Sequence, residues 1–150
     1  MRLYLARHGE AEAGGEDSER RLTGQGRREA ADSARTAARL GARPSRILHS
    51  GRARARETAE ILGAELAAPV EPSAGLSPCD PVEPWVDRLE GAPRDLMLVG
   101  HLPFMGSLAS ALLAGDADRD LVSFRTAALA CLDQQAGRWR LLWIVWPEMG

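Results

Sequence analysis

The 150-residue sequence predicts an α/β fold: a three-layer α/β/α sandwich with a mostly parallel central sheet and an antiparallel edge. Three observations carry that expectation. Short β-type runs alternate with long Ala-rich stretches of helical spacing. Leu96-Met97-Leu98-Val99 is a continuous apolar run, as required of a parallel strand buried on both faces. The last two β-type runs flank Gln135-Ala136-Gly137, a turn that suits an antiparallel hairpin.

In order along the chain, Arg2 to Arg7 reads as the first strand, and Glu10 to Arg21 as a polar loop containing glycine. Leu22-Thr23 opens a helix to about Leu40, with Thr23 as N-cap, and Gly41 and Pro44 stop it. Arg46 to His49 is the second strand; a turn at Ser50-Gly51 leads into a helix through about Leu66, whose Ala55, Thr58, Ala59 and Leu62 share one face. Val70-Glu71 reads as a short strand. The prolines at 69, 72, 78, 81 and 84 make the stretch up to Trp85 mostly loop, with a modest helix from Pro84 to Glu90. Asp95 to Gly100 holds the central strand, and Leu102-Pro103 starts a helix to about Leu113. Ala127 to Leu132 and Trp139 to Val145 close the sheet.

Length and composition predict one domain over residues 1–150. A hydrophobic content of 45% with 27% charged residues is globular, and a net charge of -2 gives no reason to expect nucleic acid or an anionic membrane as partner. All 19 basic residues are arginine, cations suited to bidentate contacts with oxyanions. The cysteines, Cys79 and Cys131, have no metal-site spacing and read as free thiols, Cys79 as a packing residue rather than a nucleophile. The N-terminus passes straight into a strand and no long apolar segment follows, so the expectation is a soluble, cytoplasmic protein.

In open α/β sheets a ligand sits outside the carboxyl ends of the strands, where residues distant in sequence converge. Here those ends carry Arg7-His8-Gly9, the segment Ser50 to Arg54, and Gly100-His101. Guanidiniums, imidazoles and the free N–H groups of helix N-termini together suit a phosphoryl group. Phosphoryl transfer requires in-line positioning and neutralisation of the equatorial oxygens, and arginines supply the latter. One imidazole, neutral at its attacking nitrogen, can take the phosphoryl group covalently. The other, protonated, can donate to a phosphate oxygen. Arginines at the same place would repel a metal cation.

The chain resembles the histidine phosphatase superfamily, the phosphoglycerate mutase-like proteins, and within it the short bacterial branch of phosphohistidine phosphatases. The resemblance runs over nearly the whole length. It is carried by Leu5-Ala6-Arg7-His8-Gly9-Glu10, Arg21-Leu22-Thr23-Gly24-Gln25-Gly26, Ser50-Gly51-Arg52-Ala53-Arg54-Ala55-Arg56-Glu57-Thr58, Leu76-Ser77-Pro78-Cys79 and Val99-Gly100-His101-Leu102-Pro103. It implies that His8 is the phosphorylated nucleophile, that Arg7, Arg54 and His101 bind the phosphoryl oxygens beside Gly9, and that Arg20 reaches the substrate edge. It implies no metal or organic cofactor, and as partner a phosphohistidine-bearing protein such as a histidine phosphotransfer domain, with phosphate as product.

Departures from the pattern are Gly51 where proline is usual and Glu57 where glutamine is common, changes the turn and helix are expected to tolerate. Larger members carry a catalytic glutamate in the middle region; here Asp80 and Glu83 are the nearest candidates. Hydrolysis of an ester needs protonation of a poor alkoxide leaving group, help worth about 10²–10⁴-fold. Phosphohistidine leaves as imidazole, which needs that help far less. The short Gly75 to Trp85 loop should leave the pocket open to a protein side chain; Trp85, like Trp139, Trp143 and Trp146, reads as a core or edge-strand aromatic, with lining the pocket as its alternative. A phosphatase of a small phosphorylated metabolite and a non-catalytic phosphate-binding adaptor are the alternatives. His49 is given no role, and Arg52 and Arg56 read as surface.

Overall fold

A computed structural model of the protein describes residues 1–147. Six strands form one sheet in the order β3-β2-β4-β1-β5-β6: β1 (Arg2–Arg7), β2 (Ile47–His49), β3 (Val70–Pro72), β4 (Leu96–Gly100), β5 (Leu129–Gln135) and β6 (Arg138–Val145). The pairings among β3, β2, β4 and β1 are parallel; β1 with β5 and β5 with β6 are antiparallel. The helices are α1 (Gly24–Arg39), α2 (Ala53–Leu66), α3 (Glu83–Leu89) and α4 (Phe104–Ala114). This is the α/β fold expected, with a mostly parallel sheet and an antiparallel edge.

Side-chain alternation along β1 shows why there are three layers. Leu3 and Leu5 enter a core with Leu98, Trp85, Leu89 and the α4 residues Phe104, Met105 and Leu108. Tyr4 and Ala6 enter a second core with Met97, Val99, Ala34 and Ala37 of α1, and Ala55, Ala59 and Leu62 of α2. β4 is buried at all five positions, as its unbroken apolar run requires.

Boundaries moved where local chemistry outweighed pattern. α4 starts at Phe104, with Pro103 at its N-cap rather than inside its first turn. β5 runs on to Gln135 because the hairpin closes on two residues, Ala136 and Gly137, both at positive φ (52° and 75°). That is the turn whose twist matches antiparallel strands. Between β1 and α1 the loop contains a short 3₁₀ turn at Asp17–Glu19 that hydrophobic periodicity does not signal. No helix among the described residues is long and apolar enough to cross a membrane.

Candidate active site

Register places the three candidate segments side by side. Arg7 of β1 lies opposite Gly100 of β4, and Val99 lies opposite both Ala6 and His49. The residues that follow these strands therefore emerge at one level. The His8 N–H donates to the Gly100 carbonyl at 3.0 Å, and the His8 and His101 rings stand 5.2 Å apart between centroids.

Arg7, His8, Glu10, Ala11, Arg20, Arg54, His101, Leu102 and Thr126 line an open pocket of about 380 Å³. It thus contains His8, Arg7, Arg54, His101 and Arg20 from the sequence-level set. A larger cleft of about 710 Å³ lies at the opposite ends of the strands, around Arg46, Val70 and Leu96, and holds none of them.

His8 Nδ1 lies 2.7 Å from the carbonyl oxygen of Gly9. A carbonyl only accepts, so the proton of the neutral ring sits on Nδ1 and the lone pair is left on Nε2. Burial, reinforced by Arg54, Arg7 and Arg20, lowers the His8 pKa to about 4 although the Gly9 bond opposes this. The ring is therefore neutral at physiological pH. His101 is 2% exposed; its Nε2 lies 2.6 Å from Ser50 Oγ, and its buried Nδ1 has no protein partner. Burial, then the facing His8, Arg54 and Arg52, pushes its pKa down to about 3. The second imidazole is thus neutral as well, where the sequence allowed for a protonated donor, chiefly because it is buried and further because Arg54 and Arg52 face it. A neutral imidazole still has one N–H to donate.

The arginines are held from outside the pocket. Arg7 Nη1 donates to the Phe124 carbonyl at 3.0 Å, and its buried Nε has no partner. Arg54, 4% exposed, donates through Nη1 to the Asp17 carbonyl (2.7 Å) and through Nη2 to the Asp17 carboxylate (3.2 Å), with Nε again unpaired. Burial lowers both guanidinium pKa values, yet arginine remains charged. Arg20 meets Asp17 at 3.3 Å, and Arg52, expected to be surface, pairs with the same carboxylate.

Glycine is required where the nucleophile loop meets α1. A Cβ on Gly9 would lie 2.7 Å from the Gly26 carbonyl oxygen, and one on Gly26 only 2.1 Å from that of Glu10. The Gly9 N–H donates to Thr58 Oγ1 (3.0 Å), which donates to the Arg54 carbonyl (2.8 Å), so one hydroxyl ties the His8 loop to the helix that carries Arg54.

Several contributors were not anticipated. Asp17 lies in a polar loop with no pattern around it. Glu10 stands on the pocket wall, its Oε1 accepting from the Thr23 hydroxyl at 2.8 Å; its place next to Arg7-His8-Gly9 was the available signal. Glu57 is buried, accepting from the Leu22 N–H (2.9 Å) and pairing with Arg27 (2.8 Å). His49 accepts from the Gly51 N–H at 3.1 Å, and Gly51 has φ +90°. Proline offers neither that donor nor that φ, so glycine here makes a different turn.

Other candidates lie elsewhere. Trp85 is 3% exposed and donates to the Gly75 carbonyl at 2.9 Å, so it is the core aromatic first expected and not a pocket-lining residue. Asp80 accepts from the Ser77 N–H (2.8 Å) within its own loop, and neither it nor Glu83 is on the pocket wall. Cys79 is exposed rather than packed. No cluster of three or more His, Cys, Asp or Glu side chains among the described residues could hold a metal ion.

Comparison with known proteins finds the same fold. The protein histidine phosphatase SixA, solved with tungstate, superposes with a TM-score of 0.87 at 28% identity, covering 98% of this chain and 97% of that one. A structure assigned as phosphohistidine phosphatase SixA from Agrobacterium tumefaciens gives 0.83 at 31% identity, with 97% of each chain covered. An uncharacterised protein from Picosynechococcus is 36% identical over 146 residues, 92% of this chain and 88% of its own length. The fold alone is shared, at 21% identity, with a mycobacterial phosphatase of a small metabolite. The family model for the histidine phosphatase superfamily (branch 1) matches residues 3–83, from β1 to the start of α3. The chain therefore belongs to the histidine phosphatase superfamily, a membership that supports phosphatase activity.

Proposed function

We propose that this phosphatase removes the phosphoryl group from phosphohistidine on a signalling or phosphotransfer protein, through a phosphohistidine intermediate on His8. The observation that carries the reading is that neither candidate acid of the middle loop lines the pocket. In the first step His8 Nε2 bonds to phosphorus as the phosphorus–nitrogen bond of the substrate breaks. The substrate ring leaves as neutral imidazole, its other nitrogen carrying a proton from solvent. Water then attacks the phosphorus of phospho-His8, releasing phosphate and restoring the ring. Arg7, Arg54 and the N–H of His101 neutralise the equatorial oxygens throughout. The open pocket and the likeness to SixA support a protein side chain as substrate.

A second reading, hydrolysis of a small phosphate ester, has Glu10 in its favour, a carboxylate on the pocket wall. Incubation with a phosphorylated histidine phosphotransfer domain and with a panel of phosphomonoesters separates the two. The phosphoprotein should turn over faster, His8→Ala should abolish both turnover and labelling of the enzyme, and Glu10→Gln should leave phosphohistidine hydrolysis within about threefold of wild type. Faster ester turnover, dependent on Glu10 by the 10²–10⁴-fold typical of a general acid, would establish the second reading. Activity surviving His8→Ala would overturn both.

A further inference from the structure

We infer that Asp17 determines specificity: its carboxylate fills an oxyanion subsite formed by Arg20, Arg52 and Arg54 beside the phosphoryl pocket, and so disfavours substrates bearing a carboxylate next to their phosphate. The inference rests on the assignment of that pocket as the phosphoryl site and concerns what it refuses.

Hydrogen-bond accounting supports it. A guanidinium has five N–H donors in a rigid fork. Arg54 commits one Nη1 donor to the Asp17 carbonyl and one Nη2 donor to its carboxylate. Its buried Nε keeps its hydrogen, as does that of Arg7, an arginine with a main-chain partner and no acidic one among the described residues. Arg54 is therefore divided between an outer side that Asp17 occupies and donors left for the phosphoryl group. Arg20 Nη2 meets Asp17 Oδ1 at 3.3 Å, and Arg52 pairs with Oδ2. Three guanidiniums on one carboxylate make an anion site already filled from within the chain.

A compact phospho-carboxylate binding through Arg7 and Arg54 would bring its second anion towards this corner. There it must displace Asp17 or lie against a like charge, which is unfavourable. Phosphohistidine carries an imidazole at the equivalent distance and meets no such repulsion. Asp17 itself is more than half exposed, and the 3₁₀ turn around it buries no residue. Its substitution therefore leaves the cores alone.

Two phosphonates that are not hydrolysed, ethylphosphonate and phosphonoacetate, differ in the carboxylate. Their dissociation constants can be measured by calorimetry for wild type, Asp17→Asn and Asp17→Asn/Arg20→Ala. Wild type should bind phosphonoacetate no more tightly than ethylphosphonate. Asp17→Asn should shift the ratio towards phosphonoacetate by about tenfold, and adding Arg20→Ala should remove most of that gain. An unchanged ratio in Asp17→Asn, or a gain independent of Arg20, would overturn the role of Asp17 while leaving the pocket assignment standing. Failure of the wild type to bind either phosphonate or inorganic phosphate would overturn the assignment and this inference together.

Discussion

The protonation of His8 and His101 decides what chemistry the pocket performs and over what pH range. Burial places both imidazoles well below their ordinary pKa, to about 4 and about 3. Between pH 6.5 and those values the unfolded chain binds protons that the native state refuses. Stability therefore falls on acidification through that window, by at most about 1.4 kcal/mol per pH unit for each imidazole. A bound oxyanion reverses the field facing both rings and should raise both pKa values. Nitrogen-15 NMR should show both rings neutral at pH 5.5, His8 as the Nδ1–H tautomer, and should show protonation moving to higher pH on addition of phosphate. Ordinary titration near 6.5 without phosphate would contradict this account of the proposed nucleophile.

At the scale of elements, two joints hold the site in shape. One is the contact of the Gly9-Glu10 loop with the start of α1, which excludes any Cβ at Gly9 or Gly26. The other is Glu57 on α2, whose carboxylate reaches back to the Leu22 N–H just before α1. The sequence presented Glu57 as a tolerated replacement for glutamine, and the structure gives it two partners across the α1–α2 junction. Removing it strands a buried N–H, which costs about 1–3 kcal/mol, whereas an amide retains the acceptor. Urea unfolding should show Glu57→Ala destabilised in that range and Glu57→Gln by about 1 kcal/mol or less. Equal losses in the two variants would place the stabilisation in the Arg27 ion pair instead.

Across the whole molecule, the sheet gathers Arg7, Arg20, Arg52 and Arg54 at one end, and Asp17 is the carboxylate that the last three share. An oxyanion binding the native state alone stabilises it by mass action, about 2.7 kcal/mol at a concentration one hundred times its dissociation constant. Inorganic phosphate should accordingly raise the thermal midpoint of the wild type, and Arg54→Ala should lose that increment at the same concentration. A rise that survives the substitution would place the anion elsewhere. The sequence by itself determined the fold class and the family, and it pointed to Arg7, His8, Arg54 and His101, which the structure brings to one pocket. Periodicity and short motifs are local, and the parallel register of β1, β2 and β4 makes strand ends meet wherever those strands are paired. Tertiary structure alone decided the partners: Asp17 on three arginines, Glu10 on the pocket wall, and a His101 kept neutral chiefly by its burial. Those outcomes depend on which side chains from distant segments share a few ångströms of space, and on the field they create there. Neither composition nor spacing along the chain encodes them.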